Sequence, residues 1–132
     1  MSTKSPQNYI GKIVNIRLPF FDIKESKISY KARPALIIGC ERDQFPCDFT
    51  YLPISKINDK SKKHSLYDIE IDQENCSLLN LKYVPSYIRC HKISTAYCTD
   101  VDRKCISDLK KRNKLLFDDI KTMVGVFTNE LF

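Results

Sequence analysis

Apolar and polar positions alternate in short runs along most of this chain, and only its last part changes to a three- and four-residue period. From Tyr9 to Arg17, Ile10, Ile13, Val14 and Ile16 stand among polar residues. That spacing predicts a first strand, broken at Lys12, with Gly11 marking a bend or a close backbone approach. Residues 1–8 are polar and read as a loose terminus. Residues 18–32 hold charges, Ser and a Pro without a regular apolar period, which predicts a long loop of the kind that often carries function. The run from Pro34 to Gly39 is apolar, rich in Ile and Leu, and closed by glycine, so it reads as a buried second strand. Proline fits at its first position, where the missing N–H costs no ladder bond.

The next elements follow the same logic. Glu41–Cys47 predicts a polar turn, Asp48–Ile54 a third strand, and Asn58–Ser65 a basic loop with Lys60, Lys62, Lys63 and His64. Leu66–Asp72 predicts a fourth strand, on which Asp68 and Glu70 alternate and read as solvated. Gln73–Asn80 predicts a polar turn, and Leu81–Pro85 leads into a long β-rich segment, Ser86–Tyr97. In the tail, Leu116, Ile120, Met123, Val124, Phe127 and Leu131 make one face of an amphipathic helix. Asp118 and Asp119 come early in it, where the helix dipole favours them. The expected fold class is mainly β with a C-terminal α-helix, as a small SH3-like barrel or a strongly bent antiparallel sheet. Periodicity alone does not choose the barrel.

Composition narrows the setting. At 132 residues the chain is expected to form one domain, residues 1–132, long enough to bury a core without staples. The net charge of +6 favours polyanions, or an acidic protein partner drawn by the same field. No apolar leader stands at the N-terminus and no run is long enough to span a membrane, so no membrane partner and a cytoplasmic location are expected. None of the six cysteines has C-x-x-C spacing, so no metal site is expected, and the thiols read as reduced, mostly core residues.

Candidate chemistry gathers in a few stretches. Arg33 precedes Pro34 at the mouth of the second strand, where a rigid element can present a cation to a ligand; a surface arginine covering apolar area with its stem is the simpler alternative. In Ser86-Tyr87-Ile88-Arg89-Cys90-His91, Arg89 and His91 are two apart and would share a face of a strand. Two arginines with a histidine suit RNA cleavage by the 2′-hydroxyl. A base must take the 2′ proton, a cation must stabilise the phosphate oxygens, and an acid must protonate the departing 5′ oxygen. Histidine matches proton transfer near neutral pH, and arginine offers a planar fork to phosphate. The internal nucleophile calls for no metal and no cofactor. In residues 18–32, Phe20 and Phe21 can stack on bases and Lys24, Lys27 and Lys31 can meet phosphates, or one Phe can simply pack beneath the loop. Lys56 and His64 are further candidate RNA contacts, although a solvated residue is the simpler reading of His64.

The order of these stretches resembles the PemK/MazF (CcdB-like) toxins of bacterial type II toxin–antitoxin systems. The resemblance rests on a glycine-led first strand, on Leu18-Pro19-Phe20-Phe21-Asp22, on Arg33-Pro34 before an apolar strand, and on a next strand ending Tyr51-Leu52-Pro53-Ile54-Ser55. It runs from about Ile10 to the tail helix. It implies a metal-independent endoribonuclease cutting single-stranded mRNA to 2′,3′-cyclic phosphate and 5′-OH ends, acting as a homodimer and neutralised by a cognate antitoxin. It implies Arg33 and Ser55 in the active site, with Arg89 and His91 matching an Arg-Cys-Asp sequence of some members. His91 in place of Asp and Lys12 after the glycine depart from the family pattern. A non-catalytic SH3-like module that binds nucleic acid or protein, and a gyrase-directed toxin of the CcdB type, are the alternatives.

Overall fold

The computed structural model describes residues 5–132. A 3-10 turn, Pro6–Tyr9, opens it, with the Ser5 hydroxyl accepting from the Gln7 amide. The loose terminus expected for residues 1–8 is therefore corrected over its second half; residues 1–4 lie outside the described residues. Tyr9 anchors the turn by packing edge-on against Phe45 and Phe49.

Two long strands follow, β1 (Lys12–Asp22) and β2 (Lys27–Cys40), paired antiparallel without interruption from Ile13↔Leu36 to Asp22↔Lys27. The long loop expected over residues 18–32 is a correction, for most of it is this hairpin; the second strand expected from Pro34 begins at Lys27, so Arg33 and Pro34 stand midway along β2, paired with Ile16 and Asn15, and not at its mouth. Asp22 makes the turn: its carboxylate accepts from the Lys24 and Glu25 amides, and Ser26 takes a left-handed φ of 52°. Lys27–Arg33 alternates polar and apolar residues as a strand does, but Leu18-Pro19-Phe20-Phe21 on the β1 side does not, and with both faces largely exposed the stretch as a whole shows no regular period.

Strand β3 (Asp48–Ser55) pairs with β2 from Ala35↔Pro53 to Cys40↔Phe49. Then come β4 (Asp68–Ile71), helix α1 (Gln73–Leu78), β5 (Ser86–Arg89), β6 (Ser94–Tyr97) and β7 (Val101–Asp108). The sheet order is β4-β5-β3-β2-β1-β7. The far edge of β3 is shared, with β6 along Asp48–Tyr51 and β5 at Ile54 and Ser55. Splitting one edge between two strands bends the sheet, and the result is a strongly curled antiparallel half-barrel.

Three sequence expectations change here. Gln73–Asn80 is not merely a polar turn but holds α1, whose N-cap Asp72 accepts from the Asn75 amide; the helix is too short to show a period. Ser86–Tyr97 is two strands around a tight turn. Strand β7 went unread because its middle, Asp102 to Cys105, is exposed and only Val101 and Ser107 are buried.

Cross-strand partners share a face, so alternate residues of β1 and β2 feed two cores. Ile13 and Leu36 join Leu52, Ile88 and the tail helix; Val14, Ala35, Ile16 and Ile37 join Phe49 and Tyr51. A short helix α2 (Leu109–Arg112) leads into α3 (Lys114–Asn129), whose N-cap Asn113 accepts from the Leu116 amide. Phe117 and Ile120 are its buried contacts, with Leu116, Met123, Val124 and Phe127 partly covered, as the periodicity predicted. Leu131 lies beyond the helix and is exposed. Among the described residues no helix is long and apolar enough to cross a membrane.

Gly11 joins the hairpin to α2. Its φ is +91°, its amide donates to the Ile37 carbonyl, and its own carbonyl accepts from the Lys110 amide. A Cβ at this position would sit 2.5 Å from Lys110 Cβ. Strain and collision act together, so Gly11→Ala is expected to lower the unfolding free energy by about 2 kcal/mol, read as an earlier urea midpoint with unchanged m-value.

Candidate functional site

The residues that the sequence singled out fall into three places. The first is a groove of about 750 Å³ at the mouth of the half-barrel. Arg33 and Pro34 line it from β2, Ser55 and Lys56 from the end of β3, and Lys82, Tyr83 and Ser86 from the approach to β5. The local reason is register. Ala35 and Pro53 are the last pair between β2 and β3, and Arg33 and Ser55 each lie two residues beyond it, one on each strand. Ser55 in turn pairs with Tyr87 of β5. Three cations line the groove and no carboxylate does. Lys56 Nζ lies 5.0 Å over the Tyr83 ring, while Arg33 and Lys82 take part in no ion pair among the described residues. Such a lining attracts phosphates and leaves its cations free to bind them.

The second place is a polar cluster two residues further along β5. Asp68 of β4 pairs with Arg89, and its side chain is wholly buried. This corrects the expectation that Asp68 is solvated. Arg89 Nε donates to Asp68 Oδ1 at 2.9 Å, and Nη2 donates to Oδ2 and to the Lys62 carbonyl, both at 3.2 Å. The His64 amide donates to Asp68 Oδ2 at 2.8 Å. The loop from Lys56 to Tyr67 is thereby strapped across β4 and β5. Beneath it, buried Tyr87 donates from Oη to Glu70, and Lys63 Nζ lies 5.7 Å from the Tyr87 ring. Glu70 itself is exposed, as expected.

The two histidines belong to this cluster, with ring centres 5.0 Å apart. His64 Nδ1 accepts from the Leu66 and Tyr67 amides, so its neutral form carries the proton on Nε2. His91 does not continue the strand of Arg89; it sits in the turn after β5, packed near Tyr67 and Phe127. Its Nδ1 is buried without a hydrogen bond, 3.8 Å from Asp68 Oδ1. Burial is the largest influence and holds the imidazole below its ordinary value of 6.5, against the opposing pull of Asp68. The Glu130 carboxylate beside it, then burial, push the Tyr67 hydroxyl up to about 12. Burial, with the Asp68 charge, pushes the Cys90 thiol up to about 12, which leaves it unreactive.

The third place is the hairpin arm. Phe20 and Phe21 point to opposite faces of it. Lys31 Nζ lies 4.4 Å over the Phe20 ring, and Phe21 stands exposed beside Ile28. Of the five expected RNA contacts, only Lys56 lines the groove; Phe20, Phe21 and Lys31 are on the arm and His64 is on the strap. Of the four expected catalytic residues, Arg33 and Ser55 meet in the groove, while Arg89 and His91 meet at Asp68. Sequence reasoning passed over Lys82 and Tyr83 and read Asp68 as solvated. A signal for Asp68 was present: an acid and an arginine on two short strands that alternate alike.

Compared with protein-family models and with curated proteins, the chain matches none.

Two outcomes follow from the cluster. Asp68→Ala strands Arg89 in a half-covered site and removes the acceptor of the His64 amide, so unfolding should become easier by about 3 kcal/mol in urea titration. For His91, the folded value lies below the unfolded one. Its contribution to stability is therefore complete above about pH 6.5 and is lost as pH falls through the folded value. The melting temperature should drop from about pH 7 to pH 5, and His91→Gln should make that slope shallower.

Proposed function

We propose that this chain is a metal-independent endoribonuclease of the toxin–antitoxin kind, cutting single-stranded RNA by attack of the 2′-hydroxyl on the adjoining phosphate. The observation that carries the reading is the groove itself: Arg33, Ser55, Lys56 and Lys82 converge there without a carboxylate. Arg33 holds the phosphate oxygens as negative charge grows on them, and Ser55 donates a hydrogen bond to the same phosphate. Lys56 and Lys82 track the flanking phosphates, and Tyr83 offers a ring for an unstacked base. Attack forms a 2′,3′-cyclic phosphate, and the 5′ oxygen leaves as a hydroxyl on taking a proton from a lysine of the groove, Lys56 or Lys82. Arg89, held by Asp68, supports the reading as a fixed second cation behind Tyr87 rather than as a free acid. His91 is the base in this reading, and it lies next to the strap rather than in the groove lining. A homodimer and an acidic antitoxin belong to the same proposal through the resemblance, not through the geometry.

A second reading has a specific observation in its favour. Because Arg89 and His91 are engaged at Asp68, the groove can serve as a binding surface for single-stranded nucleic acid without cutting it.

The test is cleavage of a long single-stranded RNA in EDTA. The nuclease reading expects discrete cuts, a loss of about 100-fold or more in Arg33→Ala, and a loss of the same order in His91→Ala. Salt-sensitive RNA binding by wild type without cuts, weakened in Arg33→Ala, supports the binding reading instead.

A further inference from the structure

The β1–β2 hairpin outruns the sheet that carries it. Strand β7 pairs with β1 only as far as Ile16, and β3 pairs with β2 only from Ala35 onward. Residues 17–33 therefore form a two-stranded arm, and its outer edges meet no third strand among the described residues. A two-stranded ribbon is marginal by itself, and open edges present unpaired backbone groups.

The two edges are not equivalent. The β1 edge carries Pro19, which has no N–H to donate and so resists an added strand. The β2 edge from Lys27 to Arg33 has neither proline nor a bulge, and its ladder with β1 is regular throughout. Along this edge the sequence alternates strictly. Lys27, Ser29, Lys31 and Arg33 take one face; Ile28, Tyr30 and Ala32 take the other. On the apolar face Phe21, Ile28 and Tyr30 remain 58%, 57% and 53% exposed, a contiguous patch of the kind that marks an interaction surface. Arg17 lies 4.0 Å over the Tyr30 ring on that face. The cationic face is lightly occupied: Lys27 makes an exposed pair with Glu25, and Lys31 covers Phe20. Exposed pairs of this kind exchange at little cost.

We propose that the β2 edge, Lys27–Arg33, receives an extended segment of another protein in which acidic and apolar residues alternate. The segment adds as a strand, with its backbone meeting every second residue of β2. Its carboxylates lie beside Lys27, Lys31 and Arg33, and its apolar side chains cover Ile28, Tyr30 and Phe21. A second copy of this chain is disfavoured as the occupant, because two such edges would bring like charges together. The inference does not depend on RNA cleavage, and its readout contains no RNA.

The probe is a capped peptide alternating glutamate and valine, titrated onto the full chain by calorimetry, with hydrogen exchange locating the contact. Saturable binding is expected, with amide protection at residues 27–33. A peptide of the same composition in block order should bind at least tenfold more weakly. The double variant Lys27→Glu, Lys31→Glu should lose tenfold or more for the glutamate peptide and gain for a lysine–valine peptide. That inversion of preference cannot come from misfolding. Equal binding of the block peptide, protection confined to the groove side of β3 and the approach to β5 (residues 53–56 and 80–86), or no response to charge reversal would overturn the proposal. So would a concentration-dependent dimer protected at residues 27–33, which would give the edge to a second copy.

Discussion

The unbroken ladder between β1 and β2 is the constraint on which the rest of this structure depends. Its first four pairs, Ile13 to Ile16 against Arg33 to Leu36, send alternate side chains to opposite faces, and each face nucleates a core. One core seats the tail helix. The other is closed by Phe49, Tyr51 and the N-terminal turn. A slip of one residue in this register would exchange the two sets and misfit both cores. Gly11 ties the start of the ladder to α2 through two backbone hydrogen bonds, where only a residue without a Cβ fits.

The groove arises where regular pairing runs out. Strand β2 leaves its contact with β3 at Ala35, β3 passes from β6 to β5, and the space between is lined by what these ends carry. Strand ends are sound places for a site, because their backbone is rigid while their side chains face solvent. Ser55 closes β3, while Arg33 lies midway along β2 just past its last pair with β3, so no loop is needed to bring them together. The polar cluster at Asp68 is built differently. A buried carboxylate joins β4, β5 and the strap, and its fork with Arg89 gives those short elements a definite arrangement. A charged pair in such a place costs desolvation, and it returns geometry more than stability.

Much of this was legible along the chain. The apolar run after Pro34, the alternation of β3 and the period of α3 each follow from burial on a single element, so a linear pattern reveals them. Gly11 also announced its role by residue type, as a close backbone approach. The arm was misread as a loop because its β1 side, Leu18-Pro19-Phe20-Phe21, lacks the alternation that Lys27–Arg33 carries, and its faces are largely exposed. Strand β7 escaped for the same reason, and α1 was too short to show a period.

Sequence by itself thus determined the mainly β class, the closing helix and the basic character, and it marked Arg33 as a candidate while misplacing it at a strand's mouth. Each depends on residues close together in the chain. Only the tertiary structure decided that Arg33 and Ser55 share a groove with Lys82, and that Arg89 and His91 are gathered by Asp68 instead. Pairing between distant strands sets those neighbours, and register is a property of two segments that neither one carries alone.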